Sequence, residues 1–187
     1  IHPVHADTML AASGSSVYRS INGGTNWTQA SGPSGTLIGF HFDRTSPDAA
    51  VTCFAATSDG VWRSDDGGAT WTIKTLPSGT FTSFAGASNK ATNTIILYSG
   101  IGSSIYRSID KGDNWTLLTG ISGTTTYLLA SDVNPDIIWA CFSGTTVRRS
   151  VNAGDSWTSS LYHPKMSDSG FNLEHNYFTS YMYQNNG

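Results

Sequence analysis

The sequence predicts an all-β fold, a β-propeller of four-stranded antiparallel blades, and three observations carry that expectation. An eight-residue marker, Ser64-Asp65-Asp66-Gly67-Gly68-Ala69-Thr70-Trp71, returns in close copies running from Ser20 to Trp27, Ser108 to Trp115 and Ser150 to Trp157. From serine to serine the steps are 44, 44 and 42 residues, and a period of about 40 to 50 residues built from short strands is the length of one blade. Charged residues make up only 12% of the chain while Gly, Ser, Thr and aromatics are frequent, a balance that suits a turn-rich all-β protein.

Each unit reads alike. Three positions before the marker serine stands a β-branched residue (Val17, Val61, Ile105, Val147) and one position before it an arginine (Arg19, Arg63, Arg107, Arg149). Such short β-branched and aromatic runs between turn residues are strands. The tetrad after the serine is a tight turn, because an Asp or Asn side chain bonds nearby backbone N–H groups and Gly accepts φ > 0 without a Cβ clash. Trp27, Trp71, Trp115 and Trp157, each followed by Thr, open an outgoing strand, and the indole is expected to pack over the turn. A second strand lies upstream (Thr8 to Ala12, Val51 to Ala56, Thr94 to Tyr98, Ile137 to Phe142). A third lies further upstream (Leu37 to Phe42, Phe81 to Ala85, Thr126 to Ala130). The units are therefore 1–35, lacking its innermost strand, then 36–79, 80–123 and 124–170, with 171–187 starting a fifth, since Phe178-Thr179-Ser180-Tyr181 echoes Phe81-Thr82-Ser83-Phe84. The chain is expected to be a slice of a larger ring, with a closed four-bladed ring as the alternative.

With Ser/Thr-x-Asp-x-Gly-x-x-Trp spaced across nearly the whole chain, the sequence resembles the Asp-box, or bacterial neuraminidase repeat, β-propellers. Asp66 and Asp110 carry the carboxylate, and Asn22 and Asn152 replace it with an amide that still accepts the turn hydrogen bonds. The resemblance extends over xyloglucanases, sialidases, sortilin-type receptors and photosystem assembly factors. It implies that the box residues Ser20, Asn22, Gly24, Trp27, Ser64, Asp66, Gly68, Trp71, Ser108, Asp110, Gly112, Trp115, Ser150, Asn152, Gly154 and Trp157 are structural and lie away from the ligand face. Sialidases hold a carboxylate with three arginines, but Arg19, Arg63 and Arg107 stand in identical register and cannot converge on one substrate, so they are expected to pair between blades. The sialidase nucleophile pair has no recognisable counterpart, although Glu174 is the only glutamate. Asn26-Trp27-Thr28 and Asn114-Trp115-Thr116 are glycosylation sequons, explained as by-products of the box.

If the marker turns lie on one face, the links between second and third strands share the opposite face, where propeller ligands bind. Those links are short, which leaves little room for catalytic groups. From Trp71 to Phe81 is 10 residues and from Trp157 to Phe178 is 21. The irregular stretch from Leu161 to His175 is thus where function is expected, non-repeat loops on a rigid scaffold being its usual seat. Asp168 or Glu174 could supply one of the two carboxylates a glycosidase needs, roughly 5 to 10 Å apart, and His163, Lys165 and His175 are candidate ligand contacts. The plainer reading, a surface loop or a contact to a neighbouring domain, is preferred.

The net charge is −3, with no basic cluster to track phosphates, so nucleic acid is set aside. No apolar run approaches a membrane span. His163 and His175 match no metal motif, so neither metal nor cofactor is expected. Cys53 and Cys141 fall in second strands of units taken not to touch, which predicts two buried free thiols. A polar, Lys-poor composition points to an extracellular or periplasmic setting. Two function classes remain: a secreted, glycoside-hydrolase-like propeller acting on or binding polysaccharide or glycan, or a non-catalytic scaffold for protein or glycan. In either class, further blades or a neighbouring chain complete the surface.

Overall fold

The computed structural model describes residues 1, 5–47, 50–143 and 146–158, together with the backbone of 161 and 162. Its strands form four antiparallel sheets that follow the sequence period. Sheet one has β1 (Met9–Ser13), β2 (Ser16–Ser20) and β3 (Thr28–Gln29). Sheet two has β4 (Leu37–Phe42), β5 (Cys53–Thr57), β6 (Gly60–Ser64) and β7 (Thr72–Ile73). Sheet three has β8 (Phe81–Asn89), β9 (Thr94–Ile101), β10 (Ser104–Ser108) and β11 (Thr116–Leu117). Sheet four has β12 (Thr125–Ala130), β13 (Ile138–Phe142), β14 (Thr146–Ser150) and β15 (Leu161–Tyr162). Strand order follows chain order in every sheet. Among the described residues the expected strands are present, and their ends move by a few residues. β8 and β9 run longest because the residues 90–93 joining them make a short turn, with Asn93 at φ 52°.

Repetition reaches below the strands. Where β4, β8 and β12 pair with their neighbours, the register slips between Leu37 and Gly39, between Phe81 and Ser83, and between Thr125 and Tyr127. The same one-residue bulge thus recurs at a 44-residue interval, bending the innermost strand at one place in each sheet.

The apolar residues gather between sheets, in one cluster per junction. Phe42, Val51 and Cys53 pack with Leu10 and Trp71 between sheets one and two. Phe54, Ala56, Val61, Phe84, Ile95 and Leu97 fill the junction of sheets two and three. Tyr98, Ile105, Leu128, Ile138, Ala140 and Phe142 lie between sheets three and four. Each unit therefore buries its faces against its neighbours, as a repeat architecture requires.

Three sequence expectations change. Leu161 and Tyr162, read as the start of the irregular stretch, belong to β15 and pair with Val147 and Thr146. Units two apart do touch, since Arg44 Nε lies 3.2 Å from Asp132 Oδ2, joining sheet two to sheet four. Cys53 and Cys141 are buried free thiols as expected, but their registers differ: Cys53 opposes the marker serine Ser64, whereas Cys141 opposes Val147. Burial pushes both thiols up to about 12, leaving them as thiols at neutral pH.

Candidate functional site

Each marker turn closes on one hydroxyl. Ser64 Oγ accepts the N–H groups of Gly68 at 2.7 Å and Asp66 at 3.4 Å and donates to Asp66 Oδ1 at 2.8 Å. Asp66 Oδ1 also accepts the N–H groups of Ala69 and Thr70 at 3.0 and 2.9 Å, and Oδ2 takes the Thr70 hydroxyl at 2.7 Å. Asn152 keeps the scheme with an amide, its Oδ1 accepting the Ser156 N–H at 2.9 Å. The indole N–H groups of Trp27, Trp71 and Trp115 donate to the carbonyls of Gly24, Gly68 and Gly112.

Two successive residues of every turn have positive φ. The first can be Lys111 or Ala153, whereas the second is always Gly. A Cβ on Gly68 would sit 2.6 Å from Leu10 Cδ2, and one on Gly154 would sit 2.5 Å from Leu118 Cδ1, both in the preceding unit. The marker glycine is therefore fixed by contact with the neighbouring sheet as well as by the turn itself.

Burial by itself would raise the Asp66 and Asp110 carboxyls. The backbone and side-chain donors around each outweigh it and hold both below the ordinary carboxylate value. Their contribution to stability is thus complete above the unfolded-state pKa and is lost as pH falls through the lowered one. Bonded in this way, each carboxylate fastens its turn.

Three of the four arginines before the markers act one unit ahead. Arg19 Nε donates to the Gly67 carbonyl at 2.7 Å, with a longer contact to that of Asp66. Arg63 reaches Asp113 at 3.5 Å. Arg107 reaches the Ala153 carbonyl at 2.8 Å and Asp155 at 2.7 Å. They join adjacent sheets as in-register repetition implies, and Lys74 adds a second cation on Asp113 at 2.7 Å.

A second polar cluster, missed by sequence reasoning, lies where the innermost strands end. His41 stacks on Phe54 at 6.4 Å, lies against the backbone of Gly86, and places Nε2 3.1 Å from Ser88 Oγ. Ser88 Oγ also accepts the Arg44 N–H at 2.9 Å. Asp132 accepts the Ser88 N–H at 2.9 Å and pairs with Arg44. Fully buried Asp43 accepts the Thr45 N–H and hydroxyl at 2.8 and 2.6 Å, and its other oxygen lies 3.0 Å from Lys111 Nζ. Burial lowers His41 to about 4 despite the nearby carboxylates, so the ring is neutral at physiological pH. The signal that could have found this cluster is phase: Arg44, Ser88 and Asp132 stand 44 residues apart.

Beside it, a cleft of 620 Å³ opens between sheets two and three, lined by Thr45, Arg63, Ile95, Ile109, Lys111 and Asp113. The opposite face is low, because two-residue hairpins (Gly14-Ser15, Ser58-Asp59, Gly102-Ser103) join the middle strands of sheets one to three. There the Asp59 carboxylate accepts the hydroxyls of Ser34 at 2.7 Å and Ser58 at 3.2 Å. Among the described residues no group of three His, Cys, Asp or Glu is placed to hold a metal ion. No helix among them is long and apolar enough to cross a membrane. His163, Lys165, Asp168, Glu174 and His175, and the strand expected from Phe178, lie outside the described residues.

The fold is shared with solved propellers. An ancestral GH74 enzyme superposes with a TM-score of 0.66 at 18% identity, over 88% of this chain and 23% of its own. The GH74 xyloglucanase from Xanthomonas campestris superposes with a TM-score of 0.64 at 15% identity, over 86% and 29%. YCF48 bound to D1 peptide does so with a TM-score of 0.51 at 16% identity, over 79% and 46%. The chain thus spans less than a third of the length of the GH74 structures it matches. No protein-family model matches the sequence, and no curated protein matches it.

Proposed function

We propose that this chain is a run of Asp-box blades in a secreted, glycoside-hydrolase-like propeller that holds a polysaccharide against the blade face. The observation that carries the reading is the superposition of more than four-fifths of the chain on GH74 enzymes. The described carboxylates of the marker turns are consumed by turn bonds, and those of Asp43, Asp113, Asp132 and Asp155 by cations. Asp168 and Glu174 are the candidates this chain offers for a hydrolytic pair, with His163, Lys165 and His175 as ligand contacts.

Affinity electrophoresis and reducing-end assays on xyloglucan, other β-glucans and sialosides test this. Retardation by a β-glucan is expected, with any turnover abolished by Asp168→Ala or Glu174→Ala. Failure to bind every glycan overturns the reading. The second reading, a scaffold that binds protein, is favoured by the two-residue hairpins, which leave a low surface suited to a peptide, and by the likeness to peptide-bound YCF48.

A further inference from the structure

The cleft between sheets two and three stands where one unit departs from the repeat. In sheets two and four the pairing of the two inner strands stops at Phe42–Cys53 and at Ala130–Ile138. The equivalent pair in sheet three is Gly86–Leu97, and there the ladder runs on through Ala87–Ile96, Ser88–Ile95 and Asn89–Thr94. The lengthened hairpin supplies residues 93 to 96 to the lining of the cleft. The marker turn of the same unit departs as well, with Ile109, Lys111 and Asp113 where the preceding turn has Asp65, Gly67 and Ala69. All three line the cleft, facing Arg63 of β6.

These departures run against local stability. Three non-glycine residues among those described have positive φ, and two of them, Asn93 at 52° and Lys111 at 61°, line this cleft. Strain of this kind gathers at ligand sites. Ile109 leaves its side chain 69% exposed at a position where the preceding turn is content with an aspartate. The charges here are already matched. Lys111 Nζ sits 3.0 Å from Oδ2 of fully buried Asp43, an oxygen with no hydrogen bond of its own. Arg63 is shared between Asp65 and Asp113, and Lys74 also holds Asp113. An anionic ligand would therefore meet no spare positive charge. Donors and acceptors remain nonetheless: an ammonium has three protons, a guanidinium five, and the Asn93 amide offers both kinds of group.

We propose that this cleft binds a short stretch of an uncharged glycan, its hydroxyls held by Arg63, Asn93, Lys111 and Asp113 and its C–H face resting on Ile109. A sugar hydroxyl donates and accepts at once, which matches a lining of paired charges and one amide beside an apolar surface. The ligand's class rests on the glycan reading above. The site itself is an addition to it, because it lies on the side of the marker turns, away from the face where the polysaccharide is expected.

Amide chemical shifts of the isotope-labelled, full 187-residue chain decide it, titrated with cellotetraose, xylotetraose and maltotetraose and, separately, with sialyllactose. At least one neutral sugar is expected to move the amides of residues 93 to 96 and 109 to 113, and sialyllactose to leave them in place. Asn93→Gly keeps the left-handed backbone and removes the amide, and Ile109→Ser removes the apolar rest. Each should raise the Kd of that sugar about two- to tenfold. Neither side chain fastens a turn, and the dispersion of the amide spectrum shows that each variant is folded. A neutral sugar that binds without moving these amides, or equally well to both variants, overturns the site and leaves the glycan reading standing. Tighter binding of sialyllactose at these amides overturns the uncharged class. If no sugar of the set binds, the site is overturned, and the glycan reading falls with it only if polysaccharides also fail to retard the chain.

Discussion

The inner ends of the sheets and their outer rim both hold neighbouring units together, by opposite physics. At the inner ends, Asp43 is wholly buried, His41 is kept neutral, and one serine, Ser88, bridges His41 and Arg44. At the rim, charged pairs such as Arg107–Asp155 place the carboxylate largely in water, with the Asp155 side chain 64% exposed. A buried charge that loses its partner retains its full desolvation cost, whereas an exposed one is resolvated. The inner ends should therefore be intolerant of substitution and the rim tolerant.

The sharpest way to break this contrast is Lys111→Met, which leaves Asp43 buried without its cation. It should cost about 3 kcal/mol, read as a lowered urea midpoint at unchanged slope. A loss no greater than a rim mutation's would mean that Asp43 is hydrated. Next comes Gly86→Ala, whose Cβ would run into the His41 ring. Overpacking of this kind costs about 1 to 3 kcal/mol, and adding His41→Ala should recover much of it if the ring is the obstacle. The smallest effect belongs to the rim. A double-mutant cycle on Arg107→Ala and Asp155→Ala should return a coupling of about 0.2 to 1 kcal/mol that shrinks as salt is added. A larger, salt-insensitive coupling would erase the distinction between the two regions.

The same contrast separates what was legible in the chain from what was not. The marker turns were legible because their chemistry is contiguous: Ser64, Asp66, Gly68, Thr70 and Trp71 satisfy one another within eight residues. The arginine links were half legible, since register argued against a shared substrate while the acceptors, carbonyls or aspartates of the next turn, change from unit to unit. The inner cluster was not legible as a site. His41, Arg44, Ser88 and Asp132 are individually ordinary, and only the juxtaposition of three strand ends makes them a network. The candidate contacts from His163 to His175 stand where sequence reasoning left them, in the one interval whose length departs from the period.

By itself, then, the sequence determined the all-β class, the length of the unit, the position of the marker turns and the burial of both cysteines. These follow from short-range backbone chemistry repeated at a fixed interval. Only the tertiary structure decided which residues of successive units meet: that Gly68 yields to Leu10, that sheet two touches sheet four through Arg44 and Asp132, and that Arg107 grips the turn of the next unit at Ala153 and Asp155. The reason is that a period states how often a residue returns, and the twist and spacing of the sheets decide what it returns to.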